Sequence, residues 1–283
     1  GRKAIAEAVF ERIDVLGARD YTFTLTAAAK ARGVFRSSNP QELERLYRGF
    51  HRQGLAAGVS LPDWVADGRG RVKAVHVDGD TLKFTMDLGD GLETESVVIP
   101  MRHRDGTTTR TLCVSSQVGC AMGCRFCETA QMGLMRSLSA AEIAAQLHAA
   151  RFQVDDPWTG RTGFEIKNIV FMGMGEPTDN IDEVIQAIRV LTDHDGATVP
   201  ASNIAISTVG NPSGIERIGA LVRENGFHRL NLALSLNAPN DEIRTQIMPV
   251  NKAWPMARLK EALLAFPRYS QAAFCVEYVL IPG

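Results

Sequence analysis

No stretch of this 283-residue chain is apolar for long enough to span a membrane, and its N-terminus lacks the charged-then-apolar pattern of a secretory signal. These absences argue against a helical membrane protein and a secreted one, and a globular protein of the reducing cytoplasm is expected. Excess charge is also missing. The formal net charge of −1 excludes the strong overall field of a general nucleic-acid binder. Cysteine is scarce, five in all, with three crowded into eight residues, which does not fit a small disulfide-stapled domain. There is no second short pair of cysteines, and neither His103 nor His148, the nearest histidines, stands at ligand spacing. Both absences weigh against a four-ligand structural zinc site. The opening Gly1 in place of Met suggests a trimmed chain.

What is there is a hydrophobic fraction of 45%, enough to bury a proper core, with one large domain and one small one as the natural division. The run Cys120-Ala121-Met122-Gly123-Cys124-Arg125-Phe126-Cys127 has the pattern C-x3-C-x2-C. Thiolates bind soft metals and iron–sulfur clusters, and gaps this short let one loop wrap three corners of a cubane cluster. Clusters that only carry electrons use four cysteines. Three leave one iron open to a small molecule held by an amine and a carboxylate, which implies catalysis. A zinc site, or three buried thiols with no ligand, are the plainer readings of the same residues.

Residues 1–66 read as helical, with amphipathic periodicity over 4–11 and 40–50 and Asn39 before Pro40 as an N-cap. From residue 1 to 73 there are thirteen Lys and Arg against eight Asp and Glu. Lys30, Arg32, Arg36, Arg45, Arg48 and Arg52 are the candidates for contact with nucleic-acid phosphates, beside the plainer reading of a solvated basic surface. Residues 67–105 change to alternation, with strands expected over 72–77, 81–87 and 94–99 in a small antiparallel meander that links to the core. From 106 to 283, strand signals at 111–115, 166–172, 203–208, 230–236 and 274–281 alternate with helix signals at 139–152, 181–194, 212–225, 240–248 and 256–265. Such units predict a parallel sheet with its site at the strands' carboxyl ends. Cys275, in the apolar run 274–279, reads as a small core residue.

Taken together, the run 111–120 (TLCVSSQVGC), the cysteine triad, the Gly-rich turn 171–177 (FMGMGEP), the segment 235–244 (SLNAPNDEIR) and the Glu95-x-Val97-x-Ile99-Pro100 strand resemble the RlmN/Cfr family of radical S-adenosylmethionine (SAM) RNA methyltransferases. The resemblance implies an α/β fold, a partly open β/α barrel. It implies a 4Fe-4S cluster on Cys120, Cys124 and Cys127 whose open iron binds SAM, with further SAM contacts at Gly175, Glu176, Ser207, Ser235, Leu236 and Asn237. In that family, one SAM methylates a C-terminal Cys, and a radical made from a second SAM activates this methyl group for attack on an adenine carbon. By the same resemblance, Cys113 attacks the other sulfur to release the product and Glu95 accepts the ring proton. The implied partners are large-subunit ribosomal RNA, with transfer RNA as a second substrate of the RlmN branch, and an electron donor such as flavodoxin. Val118 before Gly119-Cys120 favours that branch, and with it position 2 of adenine over position 8.

Two departures stand out. Asn237 occupies a position where the family has His, which removes a titratable group. The family's sixth strand, a SAM-contacting Asn and the methyl-carrying Cys have no counterpart in residues 1–283, so the chain reads as a shortened form of a larger enzyme. The alternatives are a radical-SAM enzyme with another substrate, and a metal-stabilised RNA-binding module without turnover.

Overall fold

The computed structural model describes residues 48, 51–54, 71–194, 196–269 and 274–280. In chain order these form β1 (Arg71–Asp78), β2 (Thr81–Asp87), β3 (Glu93–Arg102), β4 (Thr108–Cys113), β5 (Gln117–Gly119), α1 (Glu128–Gln131), β6 (Leu134–Ser137) and α2 (Ala140–Phe152). There follow the two-residue strands β7 (Asp155–Asp156) and β8 (Arg161–Thr162), then β9 (Ile166–Phe171), α3 (Ile181–Thr192), β10 (Ile204–Thr208) and α4 (Pro212–Val222). The last elements are β11 (Asn231–Ser235), α5 (Asp241–Ile247), α6 (Met256–Ala265) and β12 (Cys275–Glu277).

Eight strands share one sheet in the order β1-β2-β3-β4-β9-β10-β11-β12. The first three are the expected meander. Leu82, Phe84 and Met86 alternate inward along β2, as period-two patterning requires. β3 pairs antiparallel with β4, Val97 opposite Cys113, so the meander and the parallel part belong to one continuous sheet. From β4 onward every pair is parallel. Among the described residues the sheet does not close on itself, and the fold is an open β/α barrel in the α/β class.

The helices start where capping chemistry allows. Ser139 and Glu142 form a reciprocal capping box on α2, Asn211 caps α4 ahead of Pro212, and Asn240 accepts from the Ile243 N–H at 2.9 Å to start α5. α3 turns Val184, Ala187, Ile188, Val190 and Leu191 into the core. One face of the parallel part is apolar, with Leu112, Ile169, Ile206 and Leu232 brought onto it by register and all buried. Each such side chain contributes roughly 1.5–3 kcal/mol by leaving water.

α2 is buried nearly all round, because residues 51–54 lie over it: a Cβ added at Gly54 would come within 2.9 Å of the Phe152 ring. One polar side chain on α2, Gln146, fixes the helix to the sheet. Its carbonyl accepts from the Ser96 hydroxyl (2.7 Å) and the Ser115 N–H (2.8 Å), and its amide donates to the Ser115 carbonyl (2.9 Å). A buried amide with these partners sets the end of β4, where the chain turns toward the cysteines.

One expectation fails in this region. Cys275 is exposed rather than packed in the core, as are Val276 and Leu280. β12 pairs with β11 on one side and has no neighbour on the other among the described residues, so its apolar alternation is that of an edge strand.

Candidate active site

The cysteine loop begins at β5, which pairs with β6. Gly119 has φ +75°, and a Cβ there would lie 1.8 Å from the Gly133 carbonyl oxygen, so only glycine lets the two strands approach. That carbonyl accepts from the Cys120 N–H at 3.1 Å. The Arg125 N–H donates to the Ile247 carbonyl at the end of α5 (2.9 Å), and the Cys127 N–H to the Cys124 carbonyl (3.1 Å). The loop is thus fastened at both ends. Its underside packs Cys120, Met122 and Cys124 against Val209 and Met248, with Cys127 half-buried beside them.

Burial first, and then the charges of neighbouring thiols and Glu176, push the Cys120 and Cys124 thiols up to about 11. Three thiols on one short loop, two of them buried, form a donor set for soft metal. Among the described residues, no three His, Cys, Asp or Glu side chains stand around one point as a single ion requires. An iron–sulfur cluster takes one thiolate per iron, and the three thiols of this loop, packed in and beside one small apolar cluster, supply the donor chemistry it needs.

Every other candidate sits at or just beyond the carboxyl end of a parallel strand, Glu95 on β3 excepted. Cys113 ends β4, buried, its thiol pushed up to about 11 first by burial and then by the Glu95 and Glu277 carboxylates. Glu95 itself is half-buried and paired with Lys83 at 2.9 Å. β9 leads into Gly173-Met174-Gly175-Glu176. A Cβ on Gly175 would lie 2.5 Å from the Gln117 side chain, and the Met174 carbonyl accepts from the Ser116 and Gln117 N–H groups, so this turn lies flush against the strand that leads to the cysteines.

The Glu176 carboxylate points inward and is 3% exposed. One oxygen accepts from the Thr178 N–H and hydroxyl, the other from the Val209 N–H at 3.0 Å. Burial raises its pKa and these hydrogen bonds oppose the rise. β10 supplies Ser207 and β11 supplies Ser235, whose hydroxyls lie 3.2 Å apart and both donate to one oxygen of Glu277 on β12. Asn237 has φ +58°, the left-handed region that Asn tolerates, and its side chain is turned inward, accepting from the Val279 N–H at 3.0 Å.

Residues 114–283 match the Radical SAM superfamily. A radical SAM methyltransferase from Sphaerobacter thermophilus has a similar crystal structure, with a TM-score of 0.74 and 33% identity over 92% of this chain and 74% of that one. The chain belongs to the RlmN/Cfr family of the radical SAM superfamily. It is 46% identical over 204 residues to the probable dual-specificity RNA methyltransferase RlmN 1 of Protochlamydia amoebophila, covering 72% of this chain and 52% of that protein. It is 43% identical over 212 residues to the dual-specificity RNA methyltransferase RlmN of Pelobacter propionicus, covering 75% of this chain and 55% of that one. The chain therefore spans about half the length of the curated relatives it matches. Radical SAM enzymes carry a 4Fe-4S cluster and use SAM, in keeping with the donor set above.

Sequence reasoning passed over two residues in this region. Glu277 lies in an apolar run, where its being the lone carboxylate was the available signal. Arg244 was quoted only as part of a motif, yet it is fully buried. Of the basic N-terminal candidates, Arg48 and Arg52 fall within the described residues, both exposed and helical, and Arg52 donates to the His194 carbonyl. Lys30, Arg32, Arg36 and Arg45 lie outside the described residues, as does the helix expected over 4–11. Among the described residues no helix is long and apolar enough to cross a membrane.

Proposed function

We propose that this chain is the radical-generating part of an RNA methyltransferase that modifies a ring carbon of an adenosine, position 2 being favoured, in large-subunit ribosomal RNA and in transfer RNA. The observation that carries the reading is the meeting of the three-thiol loop with the Gly175–Glu176 turn, packed through Gln117, beside the serines that end β10 and β11. When bound, the cluster supplies the electron for reductive cleavage of SAM.

In this reading Cys120, Cys124 and Cys127 hold the cluster as thiolates, so loading must displace protons from two buried thiols. The Gly175–Glu176 backbone edge receives the amino-acid end of SAM. The carboxylate of Glu176 keeps that edge in place by tying it to β10. Ser207, Ser235, Leu236 and Asn237 line the SAM site from the next two strands. Glu277 fixes which way the two hydroxyls point.

Cys113 is buried and protonated at neutral pH, within reach of the charges of Glu95 and Glu277. On losing its proton it would bond to the sulfur of the methyl-carrying Cys as that sulfur's bond to the product carbon breaks, and Glu95 would accept the ring proton after leaving Lys83. The methyl-carrying Cys matches no residue of 1–283. The basic residues of 1–66 contact the RNA, and a flavodoxin-like protein provides the electron.

The test is anaerobic reconstitution with iron and sulfide, dithionite reduction, addition of SAM, and chromatography for 5′-deoxyadenosine. The product is expected, and expected to vanish with Cys124→Ala. A chain that retains zinc but no iron would overturn the reading in favour of a metal-stabilised RNA-binding module.

A further inference from the structure

Arg244, on α5, is the largest side chain with no solvent exposure among the described residues. Its guanidinium donates to four oxygens: the Leu236 carbonyl (3.0 Å), the Ser235 carbonyl (3.2 Å), the Val209 carbonyl (2.6 Å) and the Asn251 side-chain carbonyl (2.7 Å). All four are neutral. No carboxylate lies within ion-pair distance of it among the described residues, whereas the other guanidinium groups in ion pairs are at least partly exposed. A fixed charge buried among neutral acceptors is costly to the fold. Burial pulls its pKa down, and the group that most opposes this is the Cys124 sulfur, ahead of the Asp241 carboxylate. Val209, whose carbonyl the guanidinium holds, and Met248, whose N–H donates to the Arg244 carbonyl, both pack against Cys120 and Cys124.

We propose that Arg244 is the counter-charge of the cluster: a buried guanidinium, neutralised by no carboxylate, whose positive charge favours the thiolate-bound cluster and its reduced state. The proposal rests on the assignment of Cys120, Cys124 and Cys127 as cluster ligands. Net charge and burial near a cluster set its potential, and a cation behind a ligating sulfur stabilises the form that carries the extra electron. Arg244 is a positioning residue as well, because the carbonyls it holds end β11 and follow β10, where Ser235 and Ser207 stand. A purely structural role would stop there.

The two roles separate in the reduction potential of the reconstituted chain, read by redox titration of the reduced-cluster EPR signal, with iron retained against a chelator as a second readout. Arg244→Lys keeps the charge and loses the fork; Arg244→Gln loses the charge. Arg244→Lys is expected to stay close to the parent potential. Arg244→Gln should shift negative by about tenfold in the reduction equilibrium, ~59 mV for one electron, and should release iron faster.

Equal potentials in the two variants and the parent overturn the proposal and leave Arg244 structural. If neither variant folds, the swap Asp241→Asn with Asn251→Asp decides: it keeps the net charge and an amide–carboxylate bond between the two positions, and sets a carboxylate against the guanidinium in place of the Asn251 carbonyl at 2.7 Å. Neutralising the guanidinium in this way should move the potential negative, and an unchanged potential overturns the proposal. A parent chain that binds no cluster overturns the ligand assignment, and this inference with it.

Discussion

Replacing Gly119 by Ala should separate the cysteine loop from its support, and Gly133 supplies the control. At Gly119 the backbone is left-handed, φ +75°, and the new Cβ would sit 1.8 Å from the Gly133 carbonyl oxygen, whereas real contacts of this kind stay beyond 3.0 Å. The left-handed conformation alone costs Ala about 1–2 kcal/mol. Relieving the overlap means moving backbone by more than an ångström, which breaks the Cys120 N–H bond to the same carbonyl and removes about 1 kcal/mol more. Gly133, at φ +68°, has nothing within 4 Å of its added Cβ. Gly133→Ala therefore bears only the conformational term.

Equilibrium unfolding in urea should place Gly133→Ala about 1–2 kcal/mol below the parent, and Gly119→Ala at least about 1 kcal/mol lower still. After reconstitution, iron should be kept by Gly133→Ala and largely lost by Gly119→Ala, because the displaced strand leads directly into Cys120. Equal stability and equal iron in the two variants would refute the claim that this close approach shapes the thiol loop.

Two further outcomes follow from the strand ends. Glu277→Gln replaces a charged acceptor of two hydroxyls by a neutral one, a loss of about 1–2 kcal/mol, and should weaken SAM binding roughly tenfold; an unchanged Kd by calorimetry on the cluster-loaded chain would contradict the proposed place of Ser207 and Ser235. In the apo chain, Cys113 is expected to react with iodoacetamide at a rate that climbs about tenfold per pH unit from pH 7 to 9 with no plateau, because burial disfavours the thiolate and puts its pKa at about 11. Mass spectrometry that finds half-maximal modification near pH 8.5 would show the thiol to be ordinary.

Many of the longer strands and helices were readable from local chemistry: Ser139 with Glu142, Asn211 before Pro212, and Asn240 mark helix starts, and apolar alternation marks β2 and β3, whereas the short β5 to β8 and α1 carry no such mark and were not expected. Joining the meander to the barrel through β3 and β4 depends on pairing that no local pattern states. Cys275 misled for a related reason, since an edge strand and a central one share the same alternation.

In the site, the cysteines and the Gly-rich turn were legible through spacing and motif. Arg244 was not. A guanidinium is ordinarily exposed, and its partners here are backbone carbonyls of two separate segments together with the Asn251 side chain. Glu277 was hidden similarly, because only the fold brings β12 beside two serines that lie 70 and 42 residues away in sequence.

The most direct test of the central claim, that three thiols leave one iron open for SAM, is the EPR spectrum of the reduced, reconstituted chain with and without SAM, beside iron and sulfide counts. Iron and sulfide in the proportions of one 4Fe-4S cluster per chain, with a signal that changes when SAM is added, is the predicted result. A full cluster whose spectrum is indifferent to saturating SAM would contradict it.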